Sequence, residues 1–428
     1  MARAELHPAL EWARSGAMEL TGWPEGPPRL APGPLAAWLR AELDALRALS
    51  PLPLPAELDG PALLGERAAL LGLRRRGSVS PGGTCRLLPT ADGWLAVALA
   101  RPDDEALVPA WLGLEARAEG GEGVWARVAA SVREGRAAEL VARARLLGLA
   151  AAEAPPLPET PPPPHRVVAR GPRRRRDAET SPLVLDLSAL WAGPLCTHLL
   201  GLAGARVVKV ESASRPDGAR AGNAAFFDLL NAGKASVRLD LGTQPGLDRL
   251  RRLVARVDVV VESARPRALR QLGLVAESLV AEHAGLVWVA ISGHGRREPG
   301  AGWVAYGDDA AVAAGLAAAT GEPEGVPLFC GDAIADPLAG VHAAAEALGA
   351  LREGEAVLLD VALREVAAHA ARSAAGARDA VVRPADGGFE VVAAGQRERV
   401  LPPRARRPRG AARPLGADTH AVLRELGC

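Results

Sequence analysis

Between Leu183 and Gly293 short β-rich runs alternate with helical stretches, and this alternation constrains the fold more than any other feature of the sequence. "LVLDLS" (Leu183 to Ser188) passes through Ala192-Gly193-Pro194 into an apolar helical stretch ending at Leu202, and "ARVVKVE" (Ala205 to Glu211) follows. Next come "SVRLDL", the helical "PGLDRLRRLVARV", "DVVVES", the helical "PRALRQLGL" and "ESLVAEHA", and "LVWVAISG". Strands separated by helices of this length form right-handed βαβ units, whose parallel sheet is covered on both faces. The expected large domain is therefore α/β and doubly wound. The amino-terminal region reads differently: "TCRLLPTADGWLAVALARPDD" is a hairpin turned at Ala91-Asp92-Gly93, and the helices "VWARVAASV" and "AAELVARARLLGL" complete a small α+β domain.

A chain of 428 residues has room for two or three such units, and composition marks where they divide. From Glu153 to Pro182 the sequence is proline-rich and then basic, a linker that cannot build a core. Its Arg173 to Arg176 run, without aromatics, reads as solvated charge rather than a nucleic-acid patch. "PPRARRPRGAARP" (Pro402 to Pro414) isolates the end of the chain. The 51 Lys+Arg against 50 Asp+Glu leave a formal charge of +1, which removes the broad basic field that nucleic-acid or anionic-membrane binding needs. No apolar run approaches about 18 residues, and Met1 to Trp12 carries Arg3, Glu5 and Glu11 where a signal peptide needs an apolar core, so a cytoplasmic location is expected. The four cysteines (Cys85, Cys196, Cys330, Cys428) and eight histidines show no metal-ligand spacing, and no metal is expected. Lys209 and Lys234 are the only lysines, a scarcity matching the Ala, Gly and Pro richness of base composition.

One internal repeat stands out. "SGAMELTGWPEGPP" (Ser15 to Pro28) overlays "AGLAAATGEPEGVP" (Ala314 to Pro327) with half the positions identical, and at the same offset Asp336 falls opposite Ala37. The expected organisation is then a helical segment at 1–50 repeating part of the large-domain motif, a small α+β domain at 51–152, a linker at 153–182, the large domain at 183–375 and a closing segment at 376–428.

Several motifs in order resemble the class III CoA-transferases, the CaiB/BaiF family. They are "VLDLSALWAGPLCTHLLGLAGARVVKVES", "NAGKASVRLDL", "DVVVESARPRALRQLGL", "YGDDAAVAAGLAAATGEPEGVP", "GDAIADPLAGVHAAAEALGAL", "GEAVLLDVALREVAA" and "RPLGADTHAVLRELG". The resemblance implies a Rossmann-like large domain, a homodimer, and transfer of CoA from an acyl-CoA to a carboxylic acid, with CoA as substrate and no permanent cofactor. In the family the small domain follows the Ala-rich helical region; here it comes first, as in a circular permutation.

By the same resemblance the "IAD--AG" aspartate is Asp336, with Gly340 after it, and its carboxylate attacks the thioester to give an aspartyl anhydride. Its place before Pro337 at a helix start favours an anion there, although the residues alone leave open an aspartate that merely caps a helix. Tyr306, the only tyrosine, precedes Asp336 by thirty residues, as an active-site tyrosine does in formyl-CoA transferases. Asp332 and Asp308/Asp309 are further carboxylates close in sequence. Ala192-Gly193-Pro194 lies where a doubly wound sheet binds ligands, and Leu190 and Trp191 match positions that meet the thioester end. Arg265 matches the Arg of "FRPG", with Ser263 where the family has Asn, and Arg215 stands in for an arginine missing after Glu211. Ser80, Gly82 and Gly83 resemble a glycine-rich loop over the reacting thioester. A 2-methylacyl-CoA racemase, which needs a histidine where this chain has Gly307-Asp308-Asp309, and a diverged non-catalytic CoA-binding protein are the alternatives. No GxGxxG follows the first strand and no GxSxG occurs, which argues against dinucleotide oxidoreductases and α/β-hydrolases.

Overall fold

The computed structural model describes residues 6–114, 123–175, 177, 180–372 and 379–428; Arg3, Glu5, Arg176 and the 375/376 boundary lie outside them. Three sheets organise the described chain. The first joins β1 (Cys85–Pro89), β2 (Trp94–Ala98) and β3 (Ala150–Glu153), antiparallel, with Pro89 opposite Trp94 across the expected hairpin turn. The second contains β4 (Arg166–Gly171), β5 (Leu183–Leu187), β6 (Arg206–Ser212), β7 (Ala235–Leu239), β8 (Val259–Glu262), β9 (Val287–Ser292) and β10 (Ala356–Ala362), in the order β4-β10-β9-β8-β5-β6-β7. All its pairs are parallel except β4 with β10. The third is a meander of β11 (Val381–Ala385), β12 (Gly388–Ala393) and β13 (Gln396–Arg399).

The apolar runs of the central strands explain why that sheet is doubly covered. Side chains alternate faces along a strand, and here both faces are apolar. Val184, Val259, Val261, Val287 and Val289 enter one core, whereas Leu185, Val260 and Trp288 enter the other. The first core also takes in the amino-terminal helices. Helix Leu35–Leu49 turns Leu35, Trp38, Leu39, Leu43 and Leu46 inward at helical spacing and packs on the helix that carries Asp336, Ala335–Glu353. The two repeat copies therefore meet. Helix Pro8–Arg14 lies at the repeat offset from helix Gly307–Ala313, and the Thr21 hydroxyl accepts from the Gly331 amide at 2.8 Å.

Two stretches depart from expectation. The 153–182 segment is more than a tether: Arg166–Gly171 is the antiparallel edge of the central sheet, because "RVVARG" finds a partner in β10 that its proline-rich flanks conceal. Within its basic run Arg173 pairs with Glu355 at 2.8 Å and Arg174 with Asp258 at 2.5 Å, both with half or more of the side chain in solvent. Likewise Pro402 to Pro414 straps the molecule instead of isolating its end. Arg406 pairs with Glu66 at 2.6 Å and the Ala412 amide donates to Asp228 at 2.8 Å.

Candidate active site

At the carboxyl edge of the central sheet, the chain leaves β5 on one side of the point where strand order reverses and β8 on the other. The Ala189 amide spans the gap, donating to the Ser263 hydroxyl at 3.1 Å. This crevice is where doubly wound folds take ligands. The turn after β5 is held in an unusual shape. Leu190 has a left-handed φ of +69° and its amide donates to Asp217 at 3.0 Å, while Gly193 passes so close to Ser188 that a Cβ would lie 2.2 Å from its side chain. Trp191 is buried edge-on against Phe226, and helix Ala192–Leu202 starts immediately after it.

The two lysines fix this turn from beneath. Lys209 donates to the Ser188 carbonyl at 2.8 Å and pairs with Asp217 at 3.0 Å. Lys234 donates to Asp186 and to the Pro194 carbonyl at 2.9 Å each, and to the Thr197 hydroxyl at 2.7 Å. A compact ammonium with three donors suits such a pocket better than a planar guanidinium, which gives the two lysines of an arginine-rich chain a structural reason. Despite its burial, Asp186 is held far below the ordinary carboxylate range by the two lysines and the Ser188 hydroxyl.

What the turn presents is the Ala192 amide, at the start of its helix, to the half-buried carboxylate of Asp336. Asp336 occupies the first turn of its own helix, so amide dipoles of two helices favour an anion here. The two helices cross closely at Gly340, where a Cβ would come within 2.6 Å of the Ala192 carbonyl. Gly307 abuts from the other side: a Cβ there would lie 2.2 Å from Asp336 Oδ2. Gly340 and Gly307 thus shape the site by having no side chain.

Around Asp336 the carboxylates outnumber the cations. Burial pushes Asp336 up to about 7, with Asp308 adding to the rise and Arg67 opposing it. Burial likewise pushes Asp308 to about 7, helped by Asp332 and opposed by the Ala333 amide, which donates to it at 2.8 Å, and by the Ser80 hydroxyl. Asp309, which accepts from the Tyr306 amide at 2.7 Å, is raised by burial to about 8. Arg67 answers this charge by pairing with Asp332 at 2.6 Å, and its guanidinium lies 6.0 Å from the Trp191 ring centroid. Ser80 therefore enters the cluster, and the loop beyond it crosses Arg67, since a Cβ on Gly82 would lie 3.2 Å from that guanidinium. Gly83, left-handed at φ +84°, approaches Arg76 instead.

The chain from Trp303 to Gly307 leads from Asp336 to a cavity of about 710 Å³ between helix Ala137–Leu146 and the loops after β8 and β9. Arg145, Arg265, Arg267 and Trp303 line it, with Arg145 stacked 3.7 Å over Trp303. Tyr306 lies beside the small sheet, with Arg101, Asp104 and Asp309 as its charged neighbours. It is half-buried, and burial raises it against the pull of Arg101. Arg215 is exposed on the loop after β6, and Arg220 is the residue that pairs with Glu211, at 2.6 Å. Ser263 and Arg265 are also exposed, but at the crevice. Arg67 and Arg145 escape sequence reasoning because neither belongs to a motif; only folding brings them to the site.

Fold and site together define an α/β protein that holds one carboxylate against a helix amide beside the crevice of a doubly wound sheet. The chain belongs to CoA-transferase family III, whose family model matches residues 182–405. It is 36% identical over 193 residues to a succinyl-CoA–D-citramalate CoA-transferase of Chloroflexus aurantiacus, covering 42% of this chain and 48% of that one. It is 34% identical over 200 residues to a succinate–glutarate CoA-transferase of Agrobacterium fabrum, covering 43% and 50%. With a formyl-CoA:oxalate CoA-transferase of Escherichia coli the identity is 31% over 179 residues, covering 40% and 43%. The chain thus spans about half the length of the curated relatives it matches. Among solved structures, a CaiB/BaiF family protein from Brucella suis is similar with a TM-score of 0.44 and 28% identity, over 50% of this chain and 65% of that one. No helix among the described residues is long and apolar enough to cross a membrane.

Proposed function

We propose that the protein transfers CoA from an acyl-CoA thioester to a carboxylic acid through covalent intermediates on Asp336. The observation that carries this reading is the Asp336 carboxylate facing the Ala192 amide, with Gly307, four residues along the chain from the cavity-lining Trp303, packed against it. An oxygen of ionised Asp336 attacks the thioester carbonyl, the C–S bond breaks, and CoA thiolate leaves an aspartyl mixed anhydride. The thiolate then attacks the aspartyl carbonyl, forming an aspartyl-CoA thioester and releasing the donor acid. The acceptor carboxylate reverses both steps and departs as its CoA thioester, so no net proton or electron is required. The Ala192 amide stabilises the oxyanion formed at each stage. Arg145, Arg265 and Arg267 are suited to the CoA phosphates, and no resident cofactor enters the scheme.

The names of the relatives, which mention succinate, glutarate and oxalate, suggest short dicarboxylic acids as first substrates to try. Homodimerisation, a cytoplasmic location, the 1–50, 51–152, 183–375 and 376–428 units, and a permuted order with the small domain ahead of the family-matching region belong to the same reading. The test is incubation with succinyl-CoA followed by hydroxylamine: aspartyl hydroxamate at Asp336, found by mass spectrometry, is expected, and its absence with every donor of a short-chain panel overturns the reading. The raised Asp308 and Asp309 carboxyls favour one second reading, proton exchange at the α-carbon of an acyl-CoA as in a racemase. Deuterium incorporation from heavy water without CoA transfer identifies it, and CoA retention with neither reaction identifies a non-catalytic CoA-binding protein.

A further inference from the structure

On the face of the molecule formed by helix Leu35–Leu49 and the Asp336 helix, three chain segments bring imidazoles and carboxylates together. His342 and Glu346 lie one turn apart on the Asp336 helix, His165 comes from the segment just before β4, and Glu42 comes from helix Leu35–Leu49. His165 Nδ1 is 3.0 Å from His342 Nε2, and His165 Nε2 is 3.6 Å from a Glu346 oxygen. One donor atom from each of His165, His342 and Glu346 falls within 4.8 Å of the others. His342 is 2% exposed, with Trp38 at 5.7 Å on its ring and its Nδ1 facing Glu42 at 2.9 Å.

The protons available at this cluster do not satisfy all its contacts. A carboxylate only accepts, so His342 Nδ1 carries the proton donated to Glu42 and His342 Nε2 offers a lone pair. Neutral His165 has one N–H. If Nδ1 carries it, Nε2 turns a lone pair towards the Glu346 carboxylate; if Nε2 carries it, two ring lone pairs oppose each other at 3.0 Å. Either way one contact places donor-less atoms face to face, and a cation at the centre resolves it. We infer that His165, His342 and Glu346 form a binding site for a divalent transition-metal ion of the zinc class. Two imidazoles and a carboxylate are a borderline donor set that suits zinc, and a second carboxylate behind a ligand histidine is the usual outer support of such a site. His165 and Glu346 remain partly open, with side chains 24% and 37% exposed, which leaves an entry path and a position for water. The ion would clip the segment before β4 to both repeat helices, far enough along the helix from Asp336 to take no part in acyl transfer. Histidine spacing concealed the site because His165 and His342 are distant in sequence.

The competing cation is a proton on either imidazole of the His165–His342 pair, and titration distinguishes it from a metal ion. The whole chain, stripped with chelator, is titrated with Zn2+ by calorimetry, and Co2+ is added separately to read ligand-field absorption. One Zn2+ bound per chain with a raised melting temperature is expected. His165→Ala and Glu346→Gln, both at half-exposed positions where folding is checked by circular dichroism, are expected to lose that binding, and Glu42→Gln to weaken it about 10–100-fold. Absence of stoichiometric binding by the natural chain, or unchanged affinity in both His165→Ala and Glu346→Gln, overturns the site and assigns the contacts to a proton held by the His165–His342 pair.

Discussion

Two groups of buried charge touch the turn after β5, and they are built on opposite rules. Under the turn, Asp186 and Asp217 face Lys209 and Lys234, so each carboxylate has a buried ammonium to answer it. Above it, Asp308, Asp332 and Asp336 share Arg67, and beside them Asp309 Oδ2, like Asp332 Oδ2, is buried without a hydrogen-bond partner. The two lysines hold Asp186 ionised well below the ordinary range, whereas burial, with neighbouring carboxylates adding to it and too few cations opposing, lifts Asp308 and Asp336 to about 7 and Asp309 to about 8. A compensated network has one charge state and therefore fixes geometry. An uncompensated one keeps protons in play near neutrality, the behaviour expected of a reactive site. The lower cluster makes the turn rigid so that the Ala192 amide meets the upper one.

The comparison breaks most sharply at Asp336. Asp336→Asn keeps the size and the amide contact but removes the nucleophile, and CoA exchange is expected to fall by on the order of 10^4-fold or more with the fold unchanged. If the proposed transfer holds, exchange by the natural protein should rise with pH through about 7 as Asp336 ionises, read as the pH dependence of kcat/KM. Lys234→Met tests the other cluster. It leaves Asp186 buried with one ammonium fewer, and breaking a buried pair costs about 3–5 kcal/mol, read by urea unfolding. If Lys234→Met instead abolished exchange while leaving stability intact, the division into scaffold and site would fail.

Much of this was legible in the sequence. The alternation of apolar runs points to the doubly wound sheet because the period of a buried strand survives in the residues themselves, whereas Asp336 and the turn Leu190 to Pro194 stand out only through the family resemblance, since the residues alone fit a capping aspartate equally well. What stayed hidden depends on contacts between distant segments. Arg67 reaches Asp332 across the fold, β4 emerges from a stretch whose prolines suggest a tether, and Arg215 points to solvent while Arg220 takes the carboxylate. The lysine scarcity likewise looks compositional until Lys209 and Lys234 are found together beneath one turn.

A smaller effect is expected from the cleft. Arg265→Ala and Arg267→Ala each remove a charge that the proposed phosphates would meet, and each should raise KM for the acyl-CoA about 10-fold while kcat changes little. Equal losses in kcat would move these arginines from substrate binding into the chemistry around Asp336.

A last effect is read through its sign. A carboxyl raised in the folded protein holds a proton that the unfolded chain has already released, so the stability it contributes is full below its ordinary value and is lost as pH rises through the folded value. For Asp309 that window runs from about 4 to about 8. Asp186, lowered on folding, does the reverse: its contribution is present above its ordinary value and is lost as pH falls. Asp309→Asn preserves an acceptor for the Tyr306 amide and removes only the titration. Its melting temperature should therefore exceed that of the natural protein at pH 8 and approach it at pH 5. A constant offset across that range would mean that the fold, not the proton, had changed, and that Asp309 belongs with the compensated charges below the turn.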